Sequence, residues 1–217
     1  MAKRLFDLLV ADLPHGFARA LIQRMQHIYA EAHESVTHDA RFGKEEARYM
    51  HGHTRWALTQ FALRELAAAH GVRVEMRRAE GVAGGFEHVM LIVGRFCFTH
   101  CHLQSLNGFP KESRHREQYA AINEHVAQGE LFPRPSIPTE ADLYGIICHC
   151  ESVGDRATLG TLVIGFPNEQ CDDWIDEPIS LVDLADVQDR LQQQGGDPPG
   201  AAMPKWKKRK DHGQNEG

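Results

Sequence analysis

The stretch Gly94-Arg95-Phe96-Cys97-Phe98-Thr99-His100-Cys101-His102-Leu103 decides how the chain is read. Its aromatic, hydroxyl and thiol residues follow a glycine that permits a tight reversal, and they predict a strand from Arg95 to Leu103. Upstream, Phe86 to Val93 is a β-rich apolar run and Val72 to Met76 alternates, with turn chemistry at 80–85 between them. Downstream, Ser105 to Pro110 reads as loop and Glu112 to about Gln128 as helix. The proline-rich segment 131–138 is an extended connection that cannot be helical. Two more strands follow, Leu143 to Glu151 and Leu159 to Phe166, with Gly154-Asp155 in the turn. The unbroken apolar character of Val89–Val93 and of Tyr144–Ile147 predicts strands covered on both faces.

Residues 1–70 read as helix. After Asp12 and Pro14, a plausible cap and first turn, Phe17, Leu21, Met25, Ile28 and Ala32 form one apolar stripe. A second helix from about Lys44 places Met50, Ala57, Leu58, Phe61, Leu66 and Ala69 mostly on one face before Gly71 ends it. A last helix, about Ser180 to Gln193, carries Leu181, Leu184, Val187 and Leu191. The expected fold is α+β: an N-terminal helical pair (1–70), then a core (71–194) of about five mostly antiparallel strands with helices against them. Residues 195–217, with Lys205, Lys207, Lys208, Arg209 and Lys210, read as a disordered basic tail.

With 217 residues, 42% hydrophobic and 25% charged, the composition is that of an ordinary globular chain. No apolar run approaches the roughly 18 residues of a membrane span, and the N-terminus lacks a secretory pattern, so a cytoplasmic address without a membrane partner is expected. A net charge of -6 argues against a surface built to wrap duplex DNA. The odd count of 5 cysteines argues against a disulfide scaffold. No P-loop, Rossmann glycine fingerprint, HExxH or GxSxG occurs, and no cofactor is expected.

Two constellations carry chemistry. His100 and His102 share one strand face, as do Cys148 and Cys150. If the two strands are neighbours and the faces agree, the four residues could converge on Zn²⁺, the route to a zinc-dependent hydrolase. The usual CxxC spacing is missing, and these residues equally suit small buried thiols and satisfied histidines, so no metal is the expectation. The second set is preferred. Arg95 and Thr99 lie four apart on one strand, Arg114, Arg116 and Asn123 on the next helix, and His149 at the end of the following strand. Arginines, a hydroxyl, an amide and an imidazole suit a phosphate or carboxylate, with Arg95, Arg116 and His149 as candidate catalytic groups and Thr99, Asn123 and Arg114 as binding groups.

The segments GRFCFTHCHLQS, RHREQYAAIN, DLYGIICHCES and GTLVIGFPNEQCDDW together resemble a group of uncharacterised bacterial proteins. That group pairs a glycine-arginine-aromatic strand ending in threonine with an arginine-and-alanine helix ending in asparagine, a strand-end histidine, and a Gly-Phe-Pro preceding tryptophan. The matching positions here are Arg95, Phe96, Thr99, Arg116, Ala120, Asn123, His149, Gly165, Phe166, Pro167 and Trp174; the cysteines and His100 lie outside the pattern. The resemblance implies a gene beside a helix-turn-helix regulator, hence a toxin-antitoxin or phage-defence effector or accessory protein, and it implies no activity. The expectation is an anion pocket that takes RNA or another phosphate-containing ligand and supports metal-independent, nuclease-type chemistry. The alternative is a non-enzymatic protein that docks the regulator or antitoxin.

Overall fold

The computed structural model describes residues 2–39, 41–78, 87–105, 108–124 and 142–195. The expected turn at 80–85, the strand start at Phe86, the helix end near Gln128, the connection at 131–138 and the tail beyond Gly195 lie outside them.

The N-terminal region holds three helices rather than a pair: α1 (Ala2–Asp12), α2 (Phe17–Thr37) and α3 (Lys44–His70). The stripe Phe17, Leu21, Met25, Ile28 and Ala32 is buried, as its spacing requires. Gly16, not Asp12 or Pro14, is the N-cap of α2, while Gly71 closes α3 in the left-handed conformation as expected. The inward face of α3 departs from the sequence expectation. His51, Arg55, Thr59, Gln60, Ala62, Leu63 and Ala67 are buried, whereas Phe61 is 45% exposed. A helix turned polar side inward needs polar partners opposite it. It has them: Gln60 Oε1 accepts from Val89 N–H at 2.7 Å, and Arg55 reaches Glu151 at 2.8 Å.

Six strands follow in the order β1 (Arg73–Arg77), β2 (His88–Val93), β3 (Phe96–His102), β4 (Leu143–Ser152), β5 (Asp155–Gly165) and β6 (Ile179–Ser180). The sheet has six strands rather than about five and is mixed: four neighbouring pairs are antiparallel and one is parallel. β3 and β4 run parallel, in register from Phe96 opposite Leu143 to His102 opposite His149. Parallel neighbours need a crossover of about a dozen residues or more. The segment from Leu103 to Asp142 supplies it, and it includes α4 (Arg114–Ala120) with a 3₁₀ turn, Ala121–Asn123.

Alternation divides β3 and β4 between two faces. Phe96, Phe98, Leu143 and Ile147 join a core running from Leu5 of α1 to Ala185 of α5 (Leu181–Gln193), so the N-terminal helices and the sheet share one interior. Cys97, Tyr144, Ile146, Cys148 and Cys150 form a second core with Ala120 of α4. The apolar runs of β2 and β4 are thus covered on both faces, as their composition predicts. Among the described residues no helix is long and apolar enough to cross a membrane.

Candidate functional site

The residues singled out from sequence go to different places. Arg95 occupies the turn after Gly94 (φ 53°) and donates from its backbone N–H and Nε to Asp12 Oδ2 at 3.1 and 2.7 Å. His149 is paired with His102, seven residues up the strand from Arg95, roughly 23 Å at strand rise. Thr99 is buried and shares a 2.6 Å hydrogen bond with the Tyr144 hydroxyl, and Arg114 is exposed. Arg116 belongs to α4 on one face of the sheet, whereas His149 meets Tyr29 of α2 on the other. The expected convergence of Arg95, Arg116 and His149 therefore does not occur. Nor can His100, His102, Cys148 and Cys150 surround one ion. The ring of His100 lies with His149 on the helical face, and the two cysteines belong to the opposite core. Among the described residues no group of three or more His, Cys, Asp or Glu is placed to hold a metal.

Asn123 is a staple between segments. Its Nδ2 donates to the Tyr144 and Pro167 carbonyls, both at 2.8 Å, and its Oδ1 accepts from Tyr144 N–H at 2.9 Å. With every amide position used and no exposure, Asn123 has nothing left for a ligand. Asn123→Ala strands three buried backbone groups and is expected to cost about 3 kcal/mol or more. The check is a denaturant melt; a loss under about 1 kcal/mol would show that water replaces the amide.

Where β3 and β4 end, polar groups do meet. His102 Nε2 lies 2.7 Å from Glu151 Oε2, and Arg55 Nη1 reaches the same oxygen at 2.8 Å. An ionised carboxylate only accepts, so Nε2 carries the proton and the neutral ring keeps its lone pair on Nδ1. Burial lowers the His102 pKa, Arg55 lowers it further, and Glu151 opposes both, so the ring is neutral at pH 7. For Glu151 burial acts upward, but His102 and Arg55 outweigh it and hold the carboxyl below its usual range. Behind this pair sits His149, 1% exposed, with Nδ1 at 2.7 Å from the Tyr29 hydroxyl and its ring beside those of His100 and His102.

Beside His102 opens a cleft of about 300 Å³ lined by Cys101, His102, Gln104, Phe109, Lys111 and Arg116. Arg116 is 8% exposed. Its Nη2 donates to the Lys111 carbonyl, its Nε is buried without a partner, and no carboxylate of the described residues lies within 4 Å of it. Its neighbours are neutral groups. Burial raises the Cys101, Cys148 and Cys171 thiols and lowers the His88, His100 and His115 imidazoles, and the Arg116 charge favours thiolate and opposes imidazolium. A buried guanidinium without a counter-charge is costly in the free protein, and an anion in the cleft would remove much of that cost.

Of the residues named from sequence, then, Arg116 and His102 both line one cleft at the end of β3, Arg116 from α4 on one face of the sheet and His102 from the strand end, its ring beside His149 and Glu151. Glu151 and Arg55, which set the state of His102, were missed: each looks like a solvated charge until β4 and α3 are seen to turn them inward. Compared with protein-family models, curated proteins and solved structures, the chain returns no match.

Proposed function

We propose that the cleft binds a phosphate-bearing ligand, and that His102, held by Glu151, is the acid–base group for a metal-independent attack on a phosphate ester. The carrying observation is Arg116, a buried cation with an unpaired Nε in a cleft lined, among the described residues, by Lys111 and by no carboxylate. Such a lining draws an anion and repels a metal cation. An attacking water or hydroxyl would surrender its proton to His102 Nδ1 as the new P–O bond forms. The bond to the leaving oxygen then breaks, and that oxygen takes a proton from solvent or from the imidazolium. Arg116 and Lys111 would stabilise the charge gathering on the non-bridging oxygens. His149, the acid–base candidate from sequence, is too enclosed to touch the ligand and stands behind His102 as support.

The test is cleavage of bis(4-nitrophenyl) phosphate by the full chain in EDTA. His102→Ala should lower the rate about 10²-fold or more. Turnover that survives His102→Ala, or that EDTA abolishes, contradicts the assignment. Such a hydrolase suits an effector working beside a regulator, in which case expression of the wild type slows growth and the His102→Ala protein does not. A protein that only docks the regulator would leave growth unaffected in both forms.

A further inference from the structure

The Gly-Phe-Pro…Trp motif is not used by the acid–base chemistry, yet it ends at the cleft. Gly165 has no Cβ, and a Cβ there would overlap the Trp174 ring; the glycine lets the indole lie flat on the end of β5. The loop between them is tied down at several points. Ile175 N–H donates to the Phe166 carbonyl at 2.8 Å, Pro167 bridges Trp174, and Asn168 Oδ1 accepts from Asp172 N–H at 3.1 Å. The Trp174 ring in turn supports Phe109, ring centroids 4.5 Å apart at 56°. Phe109 is half-buried and lines the same cleft as Arg116, Lys111 and His102. The motif therefore builds a braced aromatic ledge beside an unpaired cation. Both rings pack against the second core, which fixes them, and a fixed aromatic face beside a phosphate-sized charge site matches a molecule carrying both a phosphate and a planar ring.

We infer that the ligand of this cleft is a nucleotide, its phosphate on Arg116 and Lys111 and its base on the ring of Phe109. The inference rests on the phosphate-binding reading of the cleft and narrows it. A volume of about 300 Å³ lies at the small end of ligand sites, so one nucleotide enters, and a nucleic-acid chain presents only its end. Base stacking on an aromatic side chain contributes about 1–3 kcal/mol and tolerates any base, so the ledge sets the ligand class rather than the sequence.

Calorimetric titration of the full chain with inorganic phosphate, ribose 5-phosphate and adenosine 5′-monophosphate tests this. The nucleotide should bind at least about tenfold more tightly than ribose 5-phosphate. In Phe109→Leu that ratio should collapse to about one, each ligand measured on the same variant. Tryptophan emission gives a second readout: the nucleotide should change it, ribose 5-phosphate should not, and Trp174→Phe should remove the change. Equal wild-type affinity for ribose 5-phosphate and the nucleotide overturns this inference and leaves the phosphate site standing. No binding by any of the three overturns both.

Discussion

Acidification from pH 7 to pH 5 is expected to lower the melting temperature by about 10 °C, with most of the loss below pH 6.5. The cause is the row of enclosed imidazoles between the helices and the sheet. His100, 8% exposed, has both ring nitrogens unpaired, and burial first, then His88 and Arg116, push its pKa down to about 3. His149 is held well below the usual value by burial first and then by His100, His102 and Arg55; only Tyr29 bonds its ring. An imidazole whose pKa is depressed on folding takes its proton more readily in the unfolded chain. Between the depressed value and about 6.5 the unfolded state binds more protons, and stability falls as pH falls. Above about 6.5 both states are neutral and the contribution is constant. At pH 5 each such group costs about 2 kcal/mol, so these two together cost about 4 kcal/mol. Glu151, held below its usual range, stays ionised through this window and does not offset the loss. His100→Leu gives up no hydrogen bond and should remove the share of this ring, about 2 kcal/mol of the loss at pH 5, leaving that of the other depressed histidines. A melting temperature flat from pH 7 to 5 would show that these rings reach water.

Replacing Arg116 by methionine is expected to raise the stability of the ligand-free protein by about 1–3 kcal/mol while abolishing phosphate binding. A side chain kept for structure alone would behave in the opposite way. Methionine matches the length of the stem, removes an uncompensated buried charge, and leaves only the carbonyl of exposed Lys111, which water can satisfy. The substitution also lifts the downward push on His88, His100 and His115, so the acid loss should shrink in the same variant. Thermal melts at pH 7 and pH 5 read both effects. A clear drop in stability at pH 7 would mean that Arg116 chiefly holds the loop at Lys111.

The strands and helices were legible wherever burial leaves an apolar period. β2, β4 and α2 are apolar on the faces they hide, and Ser180, where the sequence places the start of the last helix, caps α5 by accepting from Asp183 N–H at 3.3 Å. α3 misled because the rule counts apolar residues, and this helix instead buries His51 against His33 and Thr59 against Met25 of α2, and Arg55 against Glu151 of β4. Pairing was not legible either. Alternation gives the faces of a strand and not its neighbour, so the parallel β3–β4 pair and the two-residue β6 left no trace. The same gap governs the site. Arg116 and Asn123 were read as ligand groups on one helix, but one lines a cleft and the other is spent on the Tyr144 and Pro167 backbone. Arg95 looked equally suited to an anion, yet its carboxylate partner Asp12 lies 83 positions away in the chain. No spacing rule links Glu151 to His102; only the register that sets His102 beside His149 brings them together.

The claim on which the rest depends is that the buried guanidinium of Arg116 is completed by a phosphate group. The direct measurement is the melting temperature of the wild type and of Arg116→Met against inorganic phosphate, with ionic strength held constant by chloride. Binding to the folded state alone stabilises it in proportion to the logarithm of ligand concentration once the site is filled. The wild type should therefore gain stability steadily as phosphate rises, and Arg116→Met should not respond. Parallel curves for the two proteins, whether rising or flat, would contradict the assignment of the cleft.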